Sequence, residues 1–137
     1  MGCDIHYVVE KKIDAEWVGI FKKWPRSGFA GERDYEFFTE IAAVRGRSDT
    51  AKYPQFLPKG ISRLALHEII HDGTDGHSHS WMPIKEFSEI ALRVNPDKFP
   101  TPYDKEQPWE KLFGEPIFLN TDDDKIEDYR IVFWFDN

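Results

Sequence analysis

His67, Glu68 and His71 stand in the run HEIIH. Two histidines four apart lie on one face of a helix, where they can hold Zn²⁺ while the glutamate between them serves as base toward a metal-bound water. His77 follows six residues past His71, the offset at which the extended zinc-protease pattern supplies its third ligand, although this chain has Thr74 where that pattern has glycine. Glu86 and Glu89 are alternative third ligands. The plainer reading of the same run is an amphipathic helix that carries two histidines and a glutamate on its polar side.

A second group crowds the segment TDGHSHSW, Thr74 to Trp81. His77 and His79 have the i, i+2 spacing that lets two imidazoles converge on an extended segment, and Asp4 and His6 share that spacing near the start of the chain. If the two segments meet, Asp4, His6, Asp75 and His77 offer mixed carboxylate and imidazole ligands suited to Zn, Mn or Fe. Otherwise Asp4 and His6 bond to backbone and pin the terminus. A third set pairs Arg33, Arg45, Arg47 and Arg63 with Tyr35, Tyr53, Trp81 and Trp109. Guanidinium forks grip phosphate or carboxylate and aromatic faces stack on bases, so such a mixture suits a small anionic nucleotide; in most proteins the same residues are surface pairs and core. Cys3 falls in an apolar strand, where a thiol is inert packing.

These residues need elements to position them. Asp4 to Val9 alternate and are rich in Ile, Tyr and Val, which predicts a strand; a polar turn through Lys12, Ile13 and Asp14 leads to a second strand over Glu16 to Lys22, and the two form a hairpin. Asp34 is an N-cap for a first helix with Phe37, Phe38, Ile41 and Val44 at helical spacing. Arg45 to Gly60 reads as a long surface loop. Ser62 to His71 predicts a second helix with Leu66, Ile69 and Ile70 on its apolar stripe and Asp72-Gly73 as its stop. Gly73 to Ser80 reads as loop, and Pro83 opens a third helix that Asn95-Pro96 closes. Irregular packing with one helical turn at PWEKLFG is expected between Pro96 and Pro116. The closing DYRIVFWFDN is an apolar, β-prone run suited to a central strand covered on both faces. The expected fold is α+β: a small mixed or antiparallel sheet including both terminal strands, packed by about three short helices. With the first and last strands as neighbours, Asp4, His6 and Asp136 fall at adjacent strand ends.

The composition bounds what such a fold can do. The chain has 137 residues, one domain's worth, and is 40% hydrophobic and 15% aromatic, enough apolar surface to offset chain entropy. Its 18 Lys and Arg against 25 Asp and Glu give a net charge of −7, the wrong sign for general nucleic-acid binding. One cysteine excludes an internal disulfide and a Cys-pair zinc site. No apolar run is long enough for a membrane span, and MGCDIHYVVEKK places acid and His where a signal peptide needs basic and then apolar residues, so a cytoplasmic protein is expected.

The opening MGCDIH, the middle HSHSW and the closing VFWFDN resemble a group of small proteins from bacteriophages, large viruses and some bacteria that open with MGCDIH. The resemblance spans both termini. It implies no catalytic residues, but it weights Asp75, His77-Ser78 and Ser80-Trp81 above the HEIIH helix. Small acidic phage accessory proteins act by binding or destroying a host molecule, including nucleotide-derived immune signals, an analogy at the level of setting. The expected function is therefore an accessory protein binding a small anionic ligand, a nucleotide-derived host signal, and so counteracting bacterial defence, in a site of Arg33, Tyr35, Arg45, His77, Ser78 and Trp81. The alternative is a zinc-dependent hydrolase or peptidase with His67, His71 and His77 as ligands and Glu68 as base. A host protein is a further partner to consider.

Overall fold

The computed structural model describes residues 2–22, 30, 32–114 and 124–136. Its centre is a four-stranded antiparallel sheet in the order β2-β1-β4-β3, built from β1 (Asp4–Ile13), β2 (Glu16–Lys22), β3 (His77–Pro83) and β4 (Tyr129–Asp136). The three longer helices are α1 (Tyr35–Ala42), α2 (Arg63–Asp72) and α3 (Ile84–Val94), with short α4 (Pro102–Glu106) and α5 (Pro108–Phe113) after them. The α+β architecture with both terminal strands in one sheet is as the sequence predicts. None of the described helices is long and apolar enough to cross a membrane.

The hairpin is tighter than expected. Asp14 and Ala15 alone make the turn, with φ of 50° and 68°, and Ile13 pairs with Glu16, so β1 runs four residues beyond Val9. Positive φ at both turn residues gives the twist that adjoining strands need. β4 lies between β1 and β3, and its unbroken apolar run is explained by cover on both sides. Ile5, Tyr7 and Val9 of β1 and Ile131, Phe133 and Phe135 of β4 enter the main core with Phe37 and Phe38 of α1, Phe87 of α3 and Phe113 of α5. On the opposite face Val8, Val132 and Trp134 form a smaller core with Ala65 of α2.

The segment His77 to Ser80 is strand rather than loop, because β4 offers a free edge that no periodicity in the segment itself reveals. His77 pairs with Phe135 and Ser80 with Phe133, with an irregularity between them where Ser78 takes a φ of 56°. The long connection from α1 to α2 is tied down at several points. Glu40 accepts from Ser48 and Thr50 at 2.8 Å each, the Lys52 N–H donates to the Glu40 carbonyl, and the Phe56 N–H donates to the His79 carbonyl. Those hydroxyl bonds, Thr50 first, hold the Glu40 carboxyl below the usual carboxylate range.

Helix α2 positions the site. The Ser62 hydroxyl caps it by accepting from the Ala65 N–H at 3.1 Å, while the Ser62 N–H donates to Glu10 at 2.7 Å. Glu10 is in turn ion-paired to Arg130 at 2.5 Å, and the Arg130 guanidinium lies 4.0 Å from the Trp17 ring centre and donates to the carbonyls of Lys59 and Gly60. A buried charge pair thus anchors the turn from which α2 starts. Gly19 lets the helix come close: a Cβ there would sit 2.6 Å from the Leu64 Cβ. The helix is rotated from the expected stripe. Ala65 is buried, whereas Leu66 and Ile70 are 43% and 69% exposed. On the sheet face beneath, the apolar patch of Val8, Val132 and Trp134 is covered by Leu64, Ala65 and Ile69, so of the expected stripe Ile69 packs inward while Leu66 and Ile70 are left exposed.

Candidate functional site

Between α2 and the sheet lies a cavity of about 470 Å³ lined by His6, Tyr7, Lys22, His67, Glu68, His71, Asp72 and Trp134. The α2 rotation puts His67, Glu68 and His71 beside the inner face of the helix rather than on its far side. The HEIIH run and the first-strand histidine, taken from the sequence as separate candidates, line one concavity.

A row of rings runs across the sheet, and two of its members, His6 and Trp134, line the cavity. His6 on β1, Trp134 on β4 and His79 on β3 stack across three strands, with centroids 6.0 and 6.2 Å apart and planes within 16° and 15°. The Trp134 indole N–H donates to Asp72 Oδ2 at 2.6 Å, fixing the end of α2 to the sheet. The same oxygen lies 3.7 Å from His6 Nδ1, while His6 Nε2 is 2.6 Å from Asp136 Oδ2. The cross-strand pairing of His6 with Trp134 and of Asp4 with Asp136 creates that geometry. Opposite, Lys22 and Glu68 form an ion pair at 2.5 Å. Among the described residues, the side chains of His67 and His71 make no hydrogen bond or ion pair.

The metal ligands expected from the sequence are not gathered. Asp4 is gripped by Arg33, with Nε and Nη2 at 2.7 and 3.2 Å from its two oxygens, and His6 faces Asp136. Asp75 is exposed on a 3-10 turn after α2. His77 stacks on Phe135 with its Nδ1 3.0 Å from the Ser78 hydroxyl, and it does not line the cavity. The irregularity at Ser78 separates the imidazoles that i, i+2 spacing lets converge, setting His77 on Phe135 of the main core and His79 on Trp134 of the other face. Glu86, on α3, pairs with Lys52 at 3.3 Å. No three His, Cys, Asp or Glu side chains among the described residues are grouped to hold a metal ion.

The arginine and aromatic set divides. The Tyr35 hydroxyl accepts from the N–H of Cys3, the residue before β1, at 3.2 Å, and Arg45 lies 5.3 Å from the Tyr35 ring centre. Arg33, Tyr35 and Arg45 thus gather around Cys3 and Asp4. Burial pushes the Cys3 thiol up against the opposing pull of Arg45, which keeps it protonated and unreactive. Trp81 stands elsewhere, 5.7 Å from the Arg130 guanidinium. Arg47 and Tyr53 line a separate depression of about 510 Å³ with Gly46, Ser48 and Asp49, and Trp109 is buried in the main core. Sequence reasoning missed Lys22, Asp72 and Trp134 as members of the cavity; only the pairing order of the strands could have pointed to them.

His79, which does not line the cavity, differs from the other two rings of the row. Burial first, and His77 second, hold its pKa below the usual imidazole value, with Asp72 pulling the other way. Its Nε2 is buried with no hydrogen-bond partner among the described residues.

Comparison with protein-family models, with curated proteins and with solved structures finds no match.

Proposed function

We propose that this protein binds a small anionic ligand, a phosphate-bearing nucleotide fragment in chemical class, in the cavity between α2 and the sheet. The observation that carries the reading is the pair His67 and His71 on the cavity wall with no other side-chain partner among the described residues. The cavity's carboxylates are already engaged, Glu68 by Lys22 and Asp72 by the Trp134 indole. What is left to a ligand is imidazole N–H, which donates well to phosphate oxygens. The accessory role against host defence rests on the resemblance of the terminal motifs alone.

The reading is tested by calorimetric titration with a nucleoside monophosphate and with the parent nucleoside. The monophosphate should bind, and His67→Ala with His71→Ala should weaken it at least tenfold while the nucleoside shows no such dependence. Equal binding by the double variant would remove the cavity from consideration and return the Arg33, Tyr35 and Arg45 cluster as the anion site. The zinc-hydrolase alternative has His67, Glu68 and His71 on one cavity in its favour. It lacks His77 as third ligand, and its base Glu68 is held by an ammonium. About one zinc per chain, released by either His67→Ala or His71→Ala, would favour it.

A further inference from the structure

The row of rings holds a pairing that ligand binding alone does not call for. His6 Nε2 lies 2.6 Å from Asp136 Oδ2, and an ionised carboxylate only accepts, so Nε2 carries the proton and Nδ1 the free lone pair. Nδ1 is on the side of Asp72, a cavity-lining residue, at 3.7 Å, beyond hydrogen-bond reach. Stacking on Trp134 fixes the plane of the ring. A carboxylate that sets the tautomer and a packed ring that sets the direction are what an imidazole needs to act as a general base. His67 and His71 stand on the same cavity and can supply the acid.

We propose that His6, oriented by Asp136, is the general base of a phosphodiester hydrolysis carried out in this cavity without metal. The proposal rests on the phosphate-binding reading above. A water oxygen attacks phosphorus and forms the new P–O bond while its proton passes to His6 Nδ1. The bond from phosphorus to the leaving oxygen breaks with its electron pair on that oxygen, which takes a proton from the imidazolium of His67 or His71. Diester and water become monoester and alcohol, and the proton on His6 returns to the acid through solvent. Lys22 lines the cavity and, paired with Glu68, balances that carboxylate beside the phosphoryl oxygens, which gather negative charge. Asp136 is a positioning residue, since it is not among the cavity-lining side chains.

The test uses bis(p-nitrophenyl) phosphate with the full chain in excess EDTA, following p-nitrophenolate release, with binding of the probe measured separately by competition against a nucleoside monophosphate. Release above the uncatalysed rate is expected, with His6→Ala lowering kcat about 10²- to 10⁴-fold, the usual worth of a general base. Added imidazole should restore part of it. Asp136→Asn should lower kcat while leaving KM unchanged, which a merely structural residue would not do. Probe binding without release overturns the dyad and leaves the binding reading intact; absence of both probe and monophosphate binding overturns the binding reading itself. Activity abolished by EDTA and restored by zinc overturns the metal-free mechanism. Should His6→Ala not fold, nitrogen-15 NMR of the natural chain decides: a protonated Nδ1 with a bare Nε2 overturns the proposal.

Discussion

At the residue scale, the polar atoms on the α2 side of the sheet differ in how well they are satisfied. Asp72 and His6 have partners, whereas His79 has a buried Nε2 with none among the described residues and a pKa held below that of a free imidazole. In the unfolded chain His79 takes up its proton near pH 6.5, but in the folded chain it resists doing so. Stability from this residue is therefore complete above about pH 6.5 and falls as the pH drops below it, until the folded imidazole protonates as well. The ionisable groups named around it are His77 and Asp72, which act in opposite directions. Urea denaturation between pH 7.5 and 5 should show this slope, and His79→Leu should flatten it. An unchanged slope in the variant would assign the pH dependence to other groups.

At the element scale, everything the cavity does depends on where α2 begins. Its N-terminal turn is held by Ser62 as cap and by the Glu10–Arg130 pair beneath, both partners of which are buried. Ser62→Ala should cost about 1 kcal/mol, the usual value of an N-cap side chain. Glu10→Ala should cost more, about 3–5 kcal/mol, because it leaves the Arg130 charge buried without its counter-ion. Joint replacement with Glu10→Leu and Arg130→Met should be less damaging than Glu10→Ala alone, since no charge is then stranded. Chemical denaturation of the three variants checks the order, and a double variant weaker than Glu10→Ala would show that the Arg130 bonds to Lys59 and Gly60 outweigh the pair. The sequence names Ser62 as the start of the helix correctly. It places the apolar stripe only in part: Ile69 packs on the smaller core, but Leu64 and Ala65 take the rest of that contact, and Leu66 and Ile70, which satisfy helical periodicity equally well, are left exposed.

At the scale of the whole molecule, protection from hydrogen exchange should follow the sheet order. The amides of Ile131 to Trp134, in a strand paired on both sides, should exchange slowest, and those of Gly46 to Asp49 much faster, with Ala51, Lys52 and Phe56 between because each donates to a carbonyl. Exchange of Ile131 to Trp134 as fast as the loop would contradict the architecture. Legible in the sequence were the α+β class, the hairpin, the cap at Asp34, the start of the second helix at Ser62, and the neighbouring terminal strands with Asp4, His6 and Asp136 at their ends. Those features are written in local periodicity, turn chemistry and one long apolar run, which depend on residues close together in the chain. Three outcomes came from the folded chain instead: His77 to Ser80 is a strand, Ser78 parts His77 from His79, and His6, Lys22, Asp72 and Trp134 join the HEIIH histidines around one cavity. Each of those outcomes depends on which strand edge stands free and which polar groups another segment presents, and long-range pairing of that kind leaves no mark on the local pattern of either partner.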